Sequence, residues 1–131
     1  MNVIVAIDSL KGSLRSLQAG AAAKAGILRA IPDAIVSVKP VADGGEGTVT
    51  ALVSGLSGRS VTIAVTGPLG ETVEATYGIL PDHTAVIEMA EAAGLPLVPA
   101  EKRNPMNTTT YGVGEMIQHA LDEGCRSFII G

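Results

Sequence analysis

Val41-Ala42-Asp43-Gly44-Gly45-Glu46-Gly47-Thr48 lies between an alternating apolar run at 35–41 and a helical stretch at 47–54. This arrangement commits that part of the chain to a strand–loop–helix unit with an unusual connection. Three glycines allow positive φ and let a ligand come close to the main chain. Asp43 and Glu46 supply hard oxygen ligands or proton acceptors. A turn that only joins two elements needs one glycine and no carboxylate, so the loop reads as a site for a polar ligand. The competing reading is a tight turn in which Asp43 caps the helix and Glu46 is solvated.

A second unit of the same kind precedes it. The β-branched run at 3–7 reads as a buried strand, ended by a polar loop holding Asp8, Ser9, Lys11, Gly12 and Ser13. A helix follows over 16–30, with Ser16 as N-cap and Ile31-Pro32-Asp33 as its stop. Aromatic residues make up only 2% of the chain. The core must therefore be built from Val, Ile, Leu and Ala, which suits parallel strands covered by helices.

If the strands at 3–7 and 35–41 are parallel neighbours, Asp8, Lys11, Asp43 and Glu46 converge at their carboxyl ends, where open α/β sheets bind ligands. Lys11 would neutralise a phosphate or carboxylate, and Ser13 with nearby amides would hold the same anion. Such a set suits a metal-bound polyphosphate. The pattern is not a Walker A loop. Its plainer reading is a capped helix start beside a solvated lysine.

Beyond residue 59 the texture changes. Runs at 60–66, 71–80 and 85–89, separated by Gly67-Pro68-Leu69-Gly70 and Pro81-Asp82-His83-Thr84, read as a meander. A βαβα portion followed by a meander predicts a lobe boundary near residue 65, with lobes 1–65 and 66–131. A short helix at 88–94, an irregular stretch with Pro96 and Pro99, a helix at 111–123 ended by Gly124, and a strand at 127–130 complete the chain. Asn104, Thr108, Thr109 and Thr110 are candidate anion contacts, or caps of the helix they precede. Glu88 and Glu91 read as substrate-facing or as a solvated helix face, and His83 and His119 as solvated. The final strand runs into Gly131, like a chain cut where a ligand-binding turn belongs; such a piece is expected to unfold or aggregate easily alone.

Several function classes are excluded by composition. Net charge is −4, with no Lys/Arg cluster, and aromatics are scarce, so no nucleic acid partner is expected. No run reaches membrane-span length, and residues 1–7 lack the features of a signal peptide, so no membrane association and a cytoplasmic location are expected. A single cysteine, Cys125, excludes an internal disulfide and reads as a structural thiol. No zinc-ligand spacing or Gly-x-Ser-x-Gly motif is present.

Four segments carry a family resemblance: Ala6-Ile7-Asp8-Ser9-Leu10-Lys11-Gly12-Ser13-Leu14, Pro40 with the 41–48 loop, Ala92-Ala93-Gly94-Leu95-Pro96-Leu97, and Asn104-Pro105-Met106 with Thr108-Thr109-Thr110-Tyr111-Gly112-Val113-Gly114-Glu115. In this order and spacing the chain resembles the amino-terminal part of the bacterial glycerate kinases of type 1. Leu10 stands where the family usually has Phe, and remains apolar. The family's chains are roughly three times as long, beyond the ~100–150 residues of a common domain, and carry a Gly-Gly-Ser-Ala-Thr-Asn-Asp-Gly-Gly type loop after the position of Gly131.

The resemblance implies ATP-dependent phosphorylation of D-glycerate to 2-phosphoglycerate, with magnesium (Mg2+). It also implies a two-lobed α/β fold, a discontinuous Rossmann-like lobe with a flavodoxin-like lobe inserted, both incomplete in this chain. In that frame Lys11, Asp43 and Glu46 are the catalytic candidates, with Asp43 as the metal ligand. Asp8, Ser13, Gly44, Gly45, Gly47, Asn104, Thr108, Thr109 and Thr110 are the substrate and nucleotide contacts. The segment alone is expected to be inactive, and a homo-oligomer is left open. The alternatives are a non-catalytic α/β module binding an anion or nucleotide, and a magnesium-dependent phosphatase or isomerase.

Overall fold

The computed structural model describes residues 1–10 and 13–131. Lys11 lies outside the described residues, so the expectation placed on it has no structural counterpart here. Strand β1 (Asn2–Ile7) leads through helix α1 (Ser16–Ala30) to strand β2 (Ile35–Pro40), and the two strands pair in parallel. Pairing runs from Asn2 opposite Ile35 to Ile7 opposite Pro40. The strands therefore end level, and the loops after Ile7 and Pro40 leave from the same end.

Side chains alternate across these strands. Val3, Val5, Val36 and Val38 point to one face, where α1 packs. Contact is so close that a Cβ on Gly20 of α1 would collide with Val38 Cγ1. Positions on the other face are open, with Ile4 72% and Ile35 68% exposed. The apolar run at 3–7 is thus half covered rather than buried.

Helix α2 (Thr48–Leu56) leads into a second sheet of strands β3 (Arg59–Thr66), β4 (Thr72–Ile79), β5 (Thr84–Ile87) and β6 (Ser127–Ile130), in that spatial order. The first three are antiparallel neighbours, and β6 joins β5 in parallel. Between β5 and β6 come helix α3 (Ala90–Ala93), three short 3-10 turns and helix α4 (Tyr111–Asp122). Strand β3 pairs with β4 from Arg59 to Thr66, so the second sheet begins at Arg59.

The second sheet is covered on both faces, and the period-two pattern says by what. Ala75, Tyr77, Ile79, Ala85 and Ile87 pack with Met116 and Ala120 of α4 and with Cys125. Leu80 and Val86, of opposite parity, pack with Val49, Leu52 and Val53 of α2. Gly78 lets α2 approach, since a Cβ there would lie 2.5 Å from Val53 Cγ2. Helix α2 thus follows a strand of the first sheet and docks on the second. His119 is part-buried rather than solvated: its Nδ1 is 2.8 Å from Tyr77 Oη, which pairs the one polar atom of a buried ring.

Candidate functional site

The two candidate loops begin at neighbouring strand ends, and one hydroxyl fastens those ends together. Ser16 Oγ donates to Ile7 O at 2.6 Å and accepts from Val41 N–H at 3.3 Å. Ser16 is therefore the first residue of α1 rather than its N-cap, a position held by Arg15. Asp8 Oδ1 accepts the Ser9 amide at 2.6 Å, and the Ser13 amide donates to Leu10 O at 2.8 Å. The Ser13 amide thus has an internal partner.

In the second loop Gly44 (φ 103°) and Gly47 (φ 94°) adopt left-handed conformations that favour glycine. Gly45 does not, so only two of the three glycines are demanded by the backbone. Asp43 Oδ1 accepts the Gly45 amide at 3.2 Å, closing an Asx turn. Its side chain is exposed and it caps no helix; Gly47 occupies the cap position of α2. Among the described residues, Thr48 Oγ1 is buried without a hydrogen-bond partner.

The end of the second sheet meets this loop at two points. A Cβ on Gly131, at the end of β6, would collide with Gly44 O. Glu88, just past β5, is only 6% exposed, and its Oε1 accepts Val49 N–H in the first turn of α2 at 2.7 Å. Glu88 is therefore not on a solvated helix face. Glu91 is also engaged, accepting the Thr76 amide at 3.0 Å.

A cavity of about 410 Å³ opens where these parts meet, and Ser9, Arg15, Glu46, Gly47, Glu88 and Glu91 are among its walls. Three carboxylates and one guanidinium converge there, enough to accept protons from hydroxyl groups and to pair one anionic group. Asp43 is not on its wall. A second cavity, about 660 Å³, is lined by Arg103, Asn104, Thr108, Thr109 and Thr110 with Pro68. Here Asn104 Oδ1 accepts the Met106 amide, Thr109 Oγ1 accepts the Tyr111 amide, and the Thr109 amide donates to Pro68 O. Of the candidate residues, Glu46 and Gly47 line the first cavity and Asn104 and Thr108 to Thr110 the second, while Asp8, Ser13, Asp43, Gly44 and Gly45 line neither. No cluster of three or more His, Cys, Asp or Glu forms a metal cage among the described residues.

Sequence pattern does not single out Arg15, and it leaves Glu88 and Glu91 between a substrate-facing and a solvated position. A usable signal existed for Glu88, since it follows an apolar strand at the carboxyl end where α/β sheets gather ligands.

Residues 3–131 match the glycerate kinase family. The chain belongs to the glycerate kinase family. A glycerate kinase of Bacillus subtilis is 53% identical over all of this chain and 35% of its own length. A glycerate 2-kinase of Escherichia coli is 49% identical over the same shares. A crystal structure of a protein assigned as glycerate kinase 2 from Salmonella typhimurium LT2 superposes with a TM-score of 0.84 at 48% identity, again over the whole of this chain and 35% of that one. The chain thus spans about a third of the length of the glycerate kinases it matches. Its α/β architecture with parallel and mixed sheets is that of the matched part.

Proposed function

We propose that the protein carrying this chain transfers a phosphoryl group from ATP to D-glycerate, forming 2-phosphoglycerate in the cytoplasm with the aid of magnesium. The observation that carries this reading is the family match across residues 3–131, which includes a relative named glycerate 2-kinase. In that reading Glu46, on the wall of the first cavity, accepts the proton of the reacting hydroxyl, and Arg15 or Lys11 pairs an anionic group. Asn104, Thr108, Thr109 and Thr110 contact an anion in the second cavity. Asp8, Ser13, Gly44, Gly45 and Gly47 shape the approach to the first.

ATP with magnesium supplies the phosphoryl group and the neutralising charge. A nucleotide-borne magnesium needs only one or two protein carboxylates, a number that Asp43 and Glu46 provide without a dedicated cage. Positioning and charge neutralisation are the main catalytic contributions in such transfers. We further propose that this chain supplies parts of two lobes, one Rossmann-like and one flavodoxin-like, divided between α2 and β3.

The full-length protein, given ATP and magnesium, is expected to consume ATP with D-glycerate at a higher kcat/KM than with other small 2- and 3-hydroxy acids. A higher value for another acid overturns the substrate. Binding without turnover in every case favours a non-catalytic module. Asp43→Asn is expected to lower kcat by ~10²-fold, the scale of lost acid–base or metal assistance. An unchanged rate leaves Asp43 as a turn residue.

A further inference from the structure

We propose that Glu88 is a positioning residue of this site: its carboxylate holds the start of α2 and, through it, the 43–48 loop that carries Asp43 and Glu46. The inference rests on the kinase reading above and adds to it a residue that contributes through the loop.

Burial is the first argument. A glutamate only 6% exposed is costly unless its oxygens are used. Glu88 Oε1 is used, at 2.7 Å from Val49 N. The amides in the first turn of a helix have no partner within it, and the positive end of the helix dipole favours a carboxylate there. Thr48 N–H donates to Gly45 O and Ala51 N–H to Gly47 O, so these two amides have other acceptors. Glu88 supplies the acceptor for Val49.

Rigidity of the support is the second argument. Around Glu88 the main chain is pinned on both sides by Gly131, whose N–H donates to Ile87 O and whose O accepts Met89 N–H. The same Gly131 lies against Gly44 O. The loop is therefore gripped at Gly44 by the end of β6 and at Val49 by the residue after β5. Between these points the loop has left-handed glycines at 44 and 47, which give little stiffness of their own. Without Glu88 one grip is lost, and Glu46 loses its fixed place on the cavity wall.

Glu88→Ala and Glu88→Gln in the full-length protein test this through glycerate kinetics and amide hydrogen exchange. A glutamine keeps an oxygen that can accept from Val49, whereas alanine does not. With alanine, exchange across residues 44–51 is expected to accelerate about tenfold or more and kcat to fall about tenfold or more, with KM values within about threefold, as misplacement of a catalytic group predicts. Glutamine is expected to recover most of both losses. Faster exchange with unchanged kcat overturns the proposal, leaving a structural tie only. Glutamine as impaired as alanine while exchange stays slow also overturns it, because the charge itself is then needed. If the alanine variant does not fold, the glutamine variant decides by the same two readouts. If the wild-type protein does not phosphorylate glycerate, the kinase reading falls, while unchanged exchange in Glu88→Ala still overturns the tie and acceleration confined to 44–51 still supports it.

Discussion

Glu88 and Val49 stand 39 residues apart in sequence and are joined by one hydrogen bond of 2.7 Å. Such a contact is invisible to local pattern, which sees only a glutamate entering a short helical stretch. Ser16 was misread for a related reason: a serine at a helix start resembles a cap, but its hydroxyl serves two strand ends instead. The glycines were more legible, because a left-handed turn at Gly44 and Gly47 is a local demand of the backbone. A residue-scale test is available at the surface. The Arg59 guanidinium, 2.6 Å from Glu123, holds that carboxyl below its usual pKa, first by hydrogen bonding and then by its charge. A depressed folded-state value means the contribution is present above the unfolded pKa and is lost as pH falls through the folded one. The melting temperatures of wild type and Glu123→Gln should therefore differ at neutral pH, begin to approach each other below 4.5, the group's ordinary value, and meet only as pH falls through the lowered folded-state value. The gap should be small, since both side chains are exposed. A gap that widens toward acid contradicts the assignment.

At the scale of elements, period and punctuation were enough to place most of the chain. The helix expected over 16–30 is α1 (Ser16–Ala30), and the strand expected at 127–130 is β6 (Ser127–Ile130). The meander also stands, because alternating runs separated by glycine and proline turns leave few other solutions. What escaped the sequence is how α2 is used. Its length and apolar residues predict a helix, but nothing local says that it covers the second sheet. The decisive residue is Gly78, where a missing side chain admits Val53. Gly78→Ala is expected to destabilise the protein by about 1–3 kcal/mol through overpacking, read as a lower denaturant midpoint at constant m. An unchanged midpoint would mean that α2 is not seated on β4 as described.

For the whole molecule, the sequence shows two textures, and the structure has a parallel pair of strands followed by a mixed four-stranded sheet. The hairpin begins at Arg59, and a helix that follows the first sheet is docked on the second. Glu46 and Gly47 line one cavity, and Asn104 with Thr108 to Thr110 lines another. Sequence spacing does not show where the second of these sits, because the Thr109 amide is held by Pro68 O, with two strands and a helix between them in the chain. The chain covers about a third of its relatives, and the account of its chemistry concerns the full-length protein. The most direct measurement is phosphorus NMR of that protein incubated with ATP, magnesium and D-glycerate. Equal amounts of ADP and 2-phosphoglycerate are expected. Inorganic phosphate without a phosphorylated acid, or no loss of ATP, would contradict the proposed transfer.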